Sequence, residues 1–119
     1  MTAPLVSVIV PVFREAETTL GRALEPVCRA GREVEPIVVT ALEESGAYAA
    51  VRAAFPGVRW LAAPRGRARQ MNTGARAAAG RWLLFLHADT RLTDGWLEVI
   101  RRAEADRRIA GGSFRLALA

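Results

Sequence analysis

The sequence predicts one α/β domain over residues 1–119, a three-layer sandwich with helices on both faces of a mainly parallel, open sheet. Apolar and β-branched runs alternate with helical segments in the order β-α-β-α-β-α-β-α-β, which is typical of a parallel sheet wound by right-handed crossovers. The run at residues 82–86, Trp-Leu-Leu-Phe-Leu, lacks polar alternation and predicts a strand covered on both faces. A hydrophobic content of 51% is sufficient for one packed core.

Each predicted strand and helix rests on a residue pattern of its own. β-branched and apolar runs predict strands at residues 5–13, 34–40, 58–62 and 82–86, and alternation predicts a last, half-exposed strand at 113–118. Apolar residues at helical spacing predict helices at 14–30, 47–55, 68–79 and 95–108. Pro11 cannot donate to a ladder, so the regular first strand should end near Val10. Pro26 should break or kink the first helix, and Gly31 should end it.

Two further local patterns concern the second and third helices. The segment at residues 43–46, Glu-Glu-Ser-Gly, supplies turn and capping residues before the second helix. The third helix should turn a stripe of mostly small residues to the sheet, and this stripe would allow a close approach. The stripe consists of Ala68, Met71, Ala75 and Ala78 or Ala79.

Composition limits the classes of protein. The net charge is +5 and every basic residue is arginine, which favours anionic ligands such as phosphates and permits weak nucleic-acid binding. No apolar run approaches the roughly 20 residues that span a bilayer, and no basic segment typical of a signal peptide opens the chain. A single cysteine, Cys28, excludes an internal disulfide and is interpreted as an inert helical residue. We therefore expect a cytoplasmic protein.

Polar residues collect where the predicted strands end. Because the carboxyl ends of parallel strands meet at one edge of a sheet, these residues should lie together. The arginines could neutralise phosphate oxygens, and the acid could hold a divalent metal that bridges a diphosphate. The third helix would also direct its N-terminal amides at such an anion. The residues concerned are the loop at 11–15, Thr40, Arg65, Arg67, Arg69, His87 and Asp89.

Three segments carry a resemblance to a known family. Residues 8–17 read Val-Ile-Val-Pro-Val-Phe-Arg-Glu-Ala-Glu, residues 66–75 read Gly-Arg-Ala-Arg-Gln-Met-Asn-Thr-Gly-Ala, and residues 84–90 read Leu-Phe-Leu-His-Ala-Asp-Thr. Together they resemble family 2 glycosyltransferases, and the last two segments resemble one bacterial subgroup. The resemblance implies the Rossmann-like, nucleotide-diphosphosugar-binding half of a GT-A fold, with manganese or magnesium as cofactor.

The resemblance also implies roles for particular residues. Asp89 lies where the family carries the second acid of its Asp-x-Asp motif, so it would hold the metal and the diphosphate, while His87 replaces the first acid. Arg67 matches a position that contacts the nucleotide, and Pro11 and Glu15 belong to the loop that cradles the base. The full set of candidate nucleotide-sugar-binding residues is Pro11, Phe13, Glu15, Thr40, Arg67, Asn72, His87 and Asp89.

The chain departs from the family pattern in two places. Relatives carry Asp-Gly-Gly-Ser or Asp-Asp-Gly-Ser after the second strand, and this chain has Thr-Ala-Leu-Glu at residues 40–43. Thr40 can form a hydrogen bond but cannot supply the carboxylate that helps to recognise the base. The catalytic base belongs to the acceptor half in relatives and is expected beyond the end of this chain, so no catalytic residue is assigned.

Simpler interpretations remain open for the individual residues. Without the motif, Asp89 reads as a loop or capping acid, and His87 reads as a hydrogen-bonded structural residue. Asn72 could fix the junction of loop and helix through backbone hydrogen bonds. Arg65, Arg67 and Arg69 could belong to an ordinary solvated loop.

The sequence is compatible with three functions. The first is a glycosyltransferase that binds a nucleotide-diphosphosugar and transfers the sugar to an unknown acceptor. The second is a truncated, non-catalytic nucleotide-binding or assembly module. The third, nucleic-acid binding, is the least supported because exposed aromatic residues are not interleaved with the basic ones, so no nucleic-acid partner is expected. Its candidate residues are Arg101, Arg102, Arg107 and Arg108.

A prediction of assembly follows from the last predicted strand. Residues 113–118 would form an unprotected sheet edge if nothing followed them. We therefore expect a homodimer or a swapped assembly through that C-terminal edge strand.

Overall fold

The structure is a computed structural model that describes residues 3–106 and 108–112. Its elements alternate along the chain as predicted, with a 3-10 turn at Leu42–Glu44 after the second strand. The strands are β1 (Val6–Val12), β2 (Val34–Ala41), β3 (Arg59–Ala63) and β4 (Trp82–Phe85). The helices are α1 (Glu17–Arg29), α2 (Ala49–Ala54), α3 (Arg67–Ala77) and α4 (Trp96–Ala105).

The four strands form one parallel sheet in the order β3-β2-β1-β4, and helices cover both of its faces. On one face, Ile9, Ile37 and Val39 form a small core beneath α3. On the other face, alternate strand residues such as Val8 and Val10 join the buried faces of α1, α2 and α4 in the main core. The predicted α/β sandwich with a parallel sheet is confirmed.

β1 continues through Pro11 to Val12, so the prediction that it ends near Val10 is wrong. The N–H of Val6 bonds to Glu33 on the β2 side, whereas the carbonyl of Ile9 bonds to Leu86 on the β4 side. Because successive residues of a strand alternate in the side to which they bond, the nitrogen of Pro11 faces the β4 side. β4 pairs with β1 only as far as Ile9, so no ladder bond is lost at Pro11.

α1 begins at Glu17, later than the predicted residue 14, and it runs through Pro26 to Arg29 without a break. Pro26 is buried near the C-terminal end of the helix, where only its final turn follows. The expectation that Gly31 ends the helix is confirmed, since Gly31 follows the cap with a φ of +86°.

The contact of α3 with the sheet differs from the predicted stripe. Gln70 and Gly74 are its buried residues, whereas Ala68 is exposed. A Cβ atom on Gly74 would lie 2.5 Å from Cγ2 of Ile9, so the missing side chain allows the helix to approach β1 closely. The predicted close approach is thus confirmed. Ala75 and Ala78 of the predicted stripe pack on the core beneath the helix, and the fully buried contacts come from Gln70 and Gly74.

Among the described residues β4 is an edge strand, and part of it is exposed, so the prediction of a strand buried on both faces is wrong. Leu83 and Phe85 are 43% and 47% exposed. They pair with Ser7 and Ile9 and therefore lie on the α3 face of the sheet, but α3 packs over β1, β2 and β3. An apolar run predicts a strand reliably, but the helices that cover it depend on its place in the sheet.

The start of α2 also differs from the prediction. α2 is shorter than predicted and begins after Tyr48, which has a φ of +65°, and no side chain at residues 43–46 caps it. Glu17 reaches from α1 instead, and its Oε2 accepts a hydrogen bond from the N–H of Val51 at 3.2 Å.

Two predictions cannot be compared with the fold. The predicted strand at 113–118, and the assembly inferred from it, lie outside the described residues. Within the described part, no helix combines the length and the apolar composition needed to cross a membrane.

Candidate functional site

A cleft of about 210 Å³ opens at the carboxyl-terminal edge of the sheet. It lies between the end of β1 and the segment that follows β4. The strand order reverses direction at this point, since the chain passes from β1 outward to β2 and β3 and then returns to the other side of β1 as β4. This switch point is the usual ligand crevice of an open α/β sheet. The lining residues are Pro11, Val12, Phe13, Glu15, Arg65, Gly66, Arg67, Gln70 and His87.

Most of the candidate residues lie at this cleft. Pro11, Phe13 and Glu15 come from the end of β1 and its loop, Arg67 comes from the first turn of α3, and His87 follows β4. Parallel strands thus deliver distant parts of the chain to one edge, as their order along the sequence predicted.

Cations and an aromatic ring form one wall of the cleft. The guanidinium carbons of Arg14 and Arg65 lie 4.9 and 5.1 Å from the centroid of the Phe13 ring. Arg65 also faces Glu43 at 4.0 Å, an exposed and therefore weak ion pair. The guanidinium group of Arg65 is therefore able to bind an anionic ligand.

The first turn of α3 adds positive potential. Among the described residues, no acidic side chain lies within 4.0 Å of the guanidinium group of Arg67 or Arg69. The helix has no side-chain cap at its N-terminal end, which lies at the cleft through Gly66 and Arg67. Amides at a helix N-terminus and free arginines both favour an anion, and a phosphate most of all.

His87 and Asp89 form a polar pair just after β4. Nδ1 of His87 lies 2.9 Å from Oδ1 of Asp89, and the two side chains are 47% and 62% exposed. His87 lines the cleft, whereas Asp89 is not one of its lining residues and adjoins it only through the contact with His87. The described part of the chain contains no cluster of three or more histidine, cysteine, aspartate or glutamate side chains that could hold a metal.

This donor set fits a metal that is shared with a ligand. Magnesium is commonly bound through one or two carboxylates and the phosphates of a substrate, with water completing the shell. Asp89 offers one such carboxylate. The imidazole of His87 beside it is a ligand type that favours zinc, copper, iron or nickel, so the donor that fits magnesium or manganese here is Asp89.

Two further predicted residues, Thr40 and Asn72, do not line the cleft either. Thr40 is 1% exposed, and its hydroxyl donates to the carbonyl of Leu61 at 3.4 Å. Asn72 is exposed on α3, and the backbone role suggested for it belongs to Gln70 instead.

Gln70 is the structural residue that the sequence did not single out. Its side chain is buried beneath the cleft, and Nε2 donates to the carbonyls of Val12 at 2.9 Å and Val39 at 2.8 Å. Its Oε1 accepts a hydrogen bond from the N–H of Gly66 at 3.2 Å. It therefore joins the ends of β1 and β2 to the start of α3. The sequence signal that could have revealed this role is a polar residue among the inward-facing positions of the helix.

The family model described as Glycosyl transferase family 2 matches residues 7–117 of the chain. The chain belongs to glycosyltransferase family 2. The match spans nearly all of the sequence and includes every element that contributes to the cleft. A comparison with curated proteins finds no significant match.

Three of the four arginines considered for nucleic-acid binding by this family 2 glycosyltransferase chain are paired with acids, namely Arg101, Arg102 and Arg108. Arg101 pairs with Glu33 and Glu98, and Arg102 lies 3.8 Å from Glu98. The hydrogen bonds from Arg101 lower the pKa of Glu33 below its ordinary value. These residues thus form the solvated, ion-paired face that the simpler interpretation predicts, while Arg107 lies outside the described residues.

Proposed function

We propose that the cleft binds a nucleotide-diphosphosugar donor together with manganese or magnesium, for transfer of the sugar to an acceptor. The observation that carries the proposal is the position of Arg67 and of the uncapped start of α3 at the switch point of a family 2 glycosyltransferase chain, in the same cleft as His87, which contacts Asp89. An anion-binding wall with an acid beside the cleft matches the two needs of a diphosphate, which are cations for its oxygens and a ligand for its metal.

The diphosphate would lie against α3. Arg67 and the amides of the first turn would bind its oxygens, and Arg65 would add charge from the rim. Arginine suits this role because its planar guanidinium group can form two parallel hydrogen bonds to one phosphate.

The metal would be held by the carboxylate of Asp89 together with oxygens of the diphosphate. When bound, such a metal would neutralise the charge that develops on the departing diphosphate. His87, whose Nδ1 lies 2.9 Å from Oδ1 of Asp89, would keep that carboxylate beside the cleft.

The base and its ribose would lie along the loop at residues 13–15. Phe13 offers a ring that already stacks with two guanidinium groups, and Glu15 offers a carboxylate at the cleft. Because Thr40 is buried and donates to Leu61, we propose that this loop, and not Thr40, recognises the base.

The alternative is binding without transfer. An inverting transfer requires a base that deprotonates the acceptor hydroxyl, and we assign no described residue to that role. The buried position of Thr40, where relatives have a base-recognising carboxylate, favours this alternative. Donor hydrolysis or transfer by the purified chain, abolished by a chelator, would exclude it. We also propose a cytoplasmic location and a homodimer or swapped assembly through the strand predicted at residues 113–118.

The test is the melting temperature of the purified chain with UDP, GDP, ADP and dTDP, each with and without manganese. A ligand that binds only the folded state must raise that temperature. We expect a manganese-dependent rise with at least one nucleotide, which is lost in Asp89→Ala and retained in Asp94→Ala, an exposed acid away from the cleft. No rise with any of the nucleotides would reject donor binding, and an equal rise in Asp89→Ala would reject the metal assignment.

A further inference from the structure

We propose that Glu44 and Tyr48 are positioning residues that hold the loop at residues 13–15 in the shape that presents Phe13 and Glu15 to the nucleotide. We call this pair the loop clamp. The inference rests on the proposed function, because it concerns the same cleft. Neither member of the clamp lines the cleft itself, so any effect on binding would pass through the loop.

Three hydrogen bonds define the loop clamp. The N–H of Arg14 donates to Oε2 of Glu44 at 2.8 Å, and the N–H of Glu15 donates to the hydroxyl oxygen of Tyr48 at 3.2 Å. The hydroxyl of Tyr48 in turn donates to Oε1 of Glu44 at 3.2 Å. Burial raises the pKa of Tyr48 above its ordinary value, with Glu44 adding to the shift, so the phenol stays protonated and able to donate.

The loop needs such support because of its backbone. Arg14 has a φ of +55°, in the left-handed region that a non-glycine residue seldom adopts. This turn places the guanidinium group of Arg14 over the ring of Phe13 and directs Glu15 to the cleft. The N–H groups of Arg14 and Glu15 both donate to the loop clamp, and these two hydrogen bonds offset the unfavourable backbone conformation of Arg14.

The clamp is itself anchored by the core. Tyr48 is 5% exposed, and its ring stacks on Trp60 with centroids 6.1 Å apart. Arg52 lies over the Trp60 ring at 4.2 Å and donates to the carbonyls of Ser45 and Ala47 at 2.8 Å each. Contacts with Arg52 of α2 and Trp60 of β3 therefore hold the turn that carries both clamp residues, without any ligand.

The test is calorimetric titration of folded protein with manganese and whichever of UDP, GDP, ADP and dTDP binds the wild type most tightly. Tyr48→Phe removes one hydroxyl and should weaken affinity roughly three- to tenfold, the range expected for one hydrogen bond. Glu44→Ala should weaken it at least as much. Glu44→Gln keeps an acceptor oxygen and should recover part of the loss.

The matched control is Val51→Ala. Val51 is 4% exposed in α2 and packs in the main core, so this variant should lower the melting temperature but leave nucleotide affinity unchanged. The same loss of affinity in Val51→Ala would show that binding follows stability alone and would overturn the inference.

The remaining outcomes separate the two proposals. If the wild type binds none of the four nucleotides, the proposed function fails and the clamp with it. If the wild type binds and both Tyr48→Phe and Glu44→Ala bind equally well, the clamp alone fails. Should Tyr48→Phe not fold, the comparison of Glu44→Ala with Glu44→Gln decides the matter, and equal affinity in these two variants would overturn the inference.

Discussion

Gln70 holds the floor of the cleft, and Gln70→Leu should therefore destabilise the fold. Leucine preserves most of the volume but removes the donor that reaches the carbonyls of Val12 and Val39 at 2.9 and 2.8 Å. Both residues are almost fully buried, so each carbonyl loses a partner that water replaces poorly. At about 1–2 kcal/mol for each acceptor, the free energy of unfolding should fall by about 2–4 kcal/mol. Losing the hydrogen bond from the N–H of Gly66 to Gln70 adds little to this destabilisation, because Gly66 is only half-buried.

Urea unfolding measures this loss. With a slope of roughly 1.5 kcal/mol per molar for a chain of this size, the midpoint should fall by about 1.5–2.5 M and the slope should not change. Arg76→Ala, an exposed position on the same helix, is the control and should lie within about 0.5 kcal/mol of the wild type. A Gln70→Leu midpoint equal to that of the control would refute the assignment of Gln70 as the link between the two strands and α3.

Further predictions concern two other parts of the fold. Gly74→Ala puts a Cβ atom 2.5 Å from Ile9 Cγ2 and should cost about 1–3 kcal/mol of unfolding free energy in the same urea assay, whereas Gly46→Ala, in open space, should cost almost nothing. A neutral Gly74→Ala would contradict the close approach of α3. Burial, and then Glu25, raises the pKa of the Cys28 thiol to about 11, so its alkylation rate by iodoacetamide should still be rising at about pH 10. A rate that is half-maximal near pH 9 and levels off by about pH 10 would show an unperturbed thiol.

The sequence predicted the fold well because its signals are local. Apolar runs and turn residues give the alternation of strands and helices, and that alternation implies a parallel sheet with its ligand edge at the carboxyl ends of the strands. Pro11, Phe13, Glu15, Arg67 and His87 were placed at the cleft by this argument together with the family motifs.

The differences arise from contacts between distant parts of the chain. The run that forms β4 has the composition of a covered strand, yet its edge position leaves Leu83 and Phe85 exposed. Thr40 lies near the end of β2 as expected, but its side chain donates to the carbonyl of Leu61 on the neighbouring strand. The hydrogen bond from Arg14 to Glu44 joins residues that are 30 positions apart, and no local pattern announces it.

The most direct test of the central claim is the equilibrium titration of the wild-type chain with a nucleoside diphosphate, once with manganese and once with EDTA, beside Arg67→Ala in manganese. We predict one nucleotide bound per chain in manganese, with affinity that falls sharply in EDTA and in Arg67→Ala, because the metal and the free guanidinium group both bind the diphosphate. Equal binding under all three conditions, or no binding under any of them, would contradict a diphosphate site in this cleft.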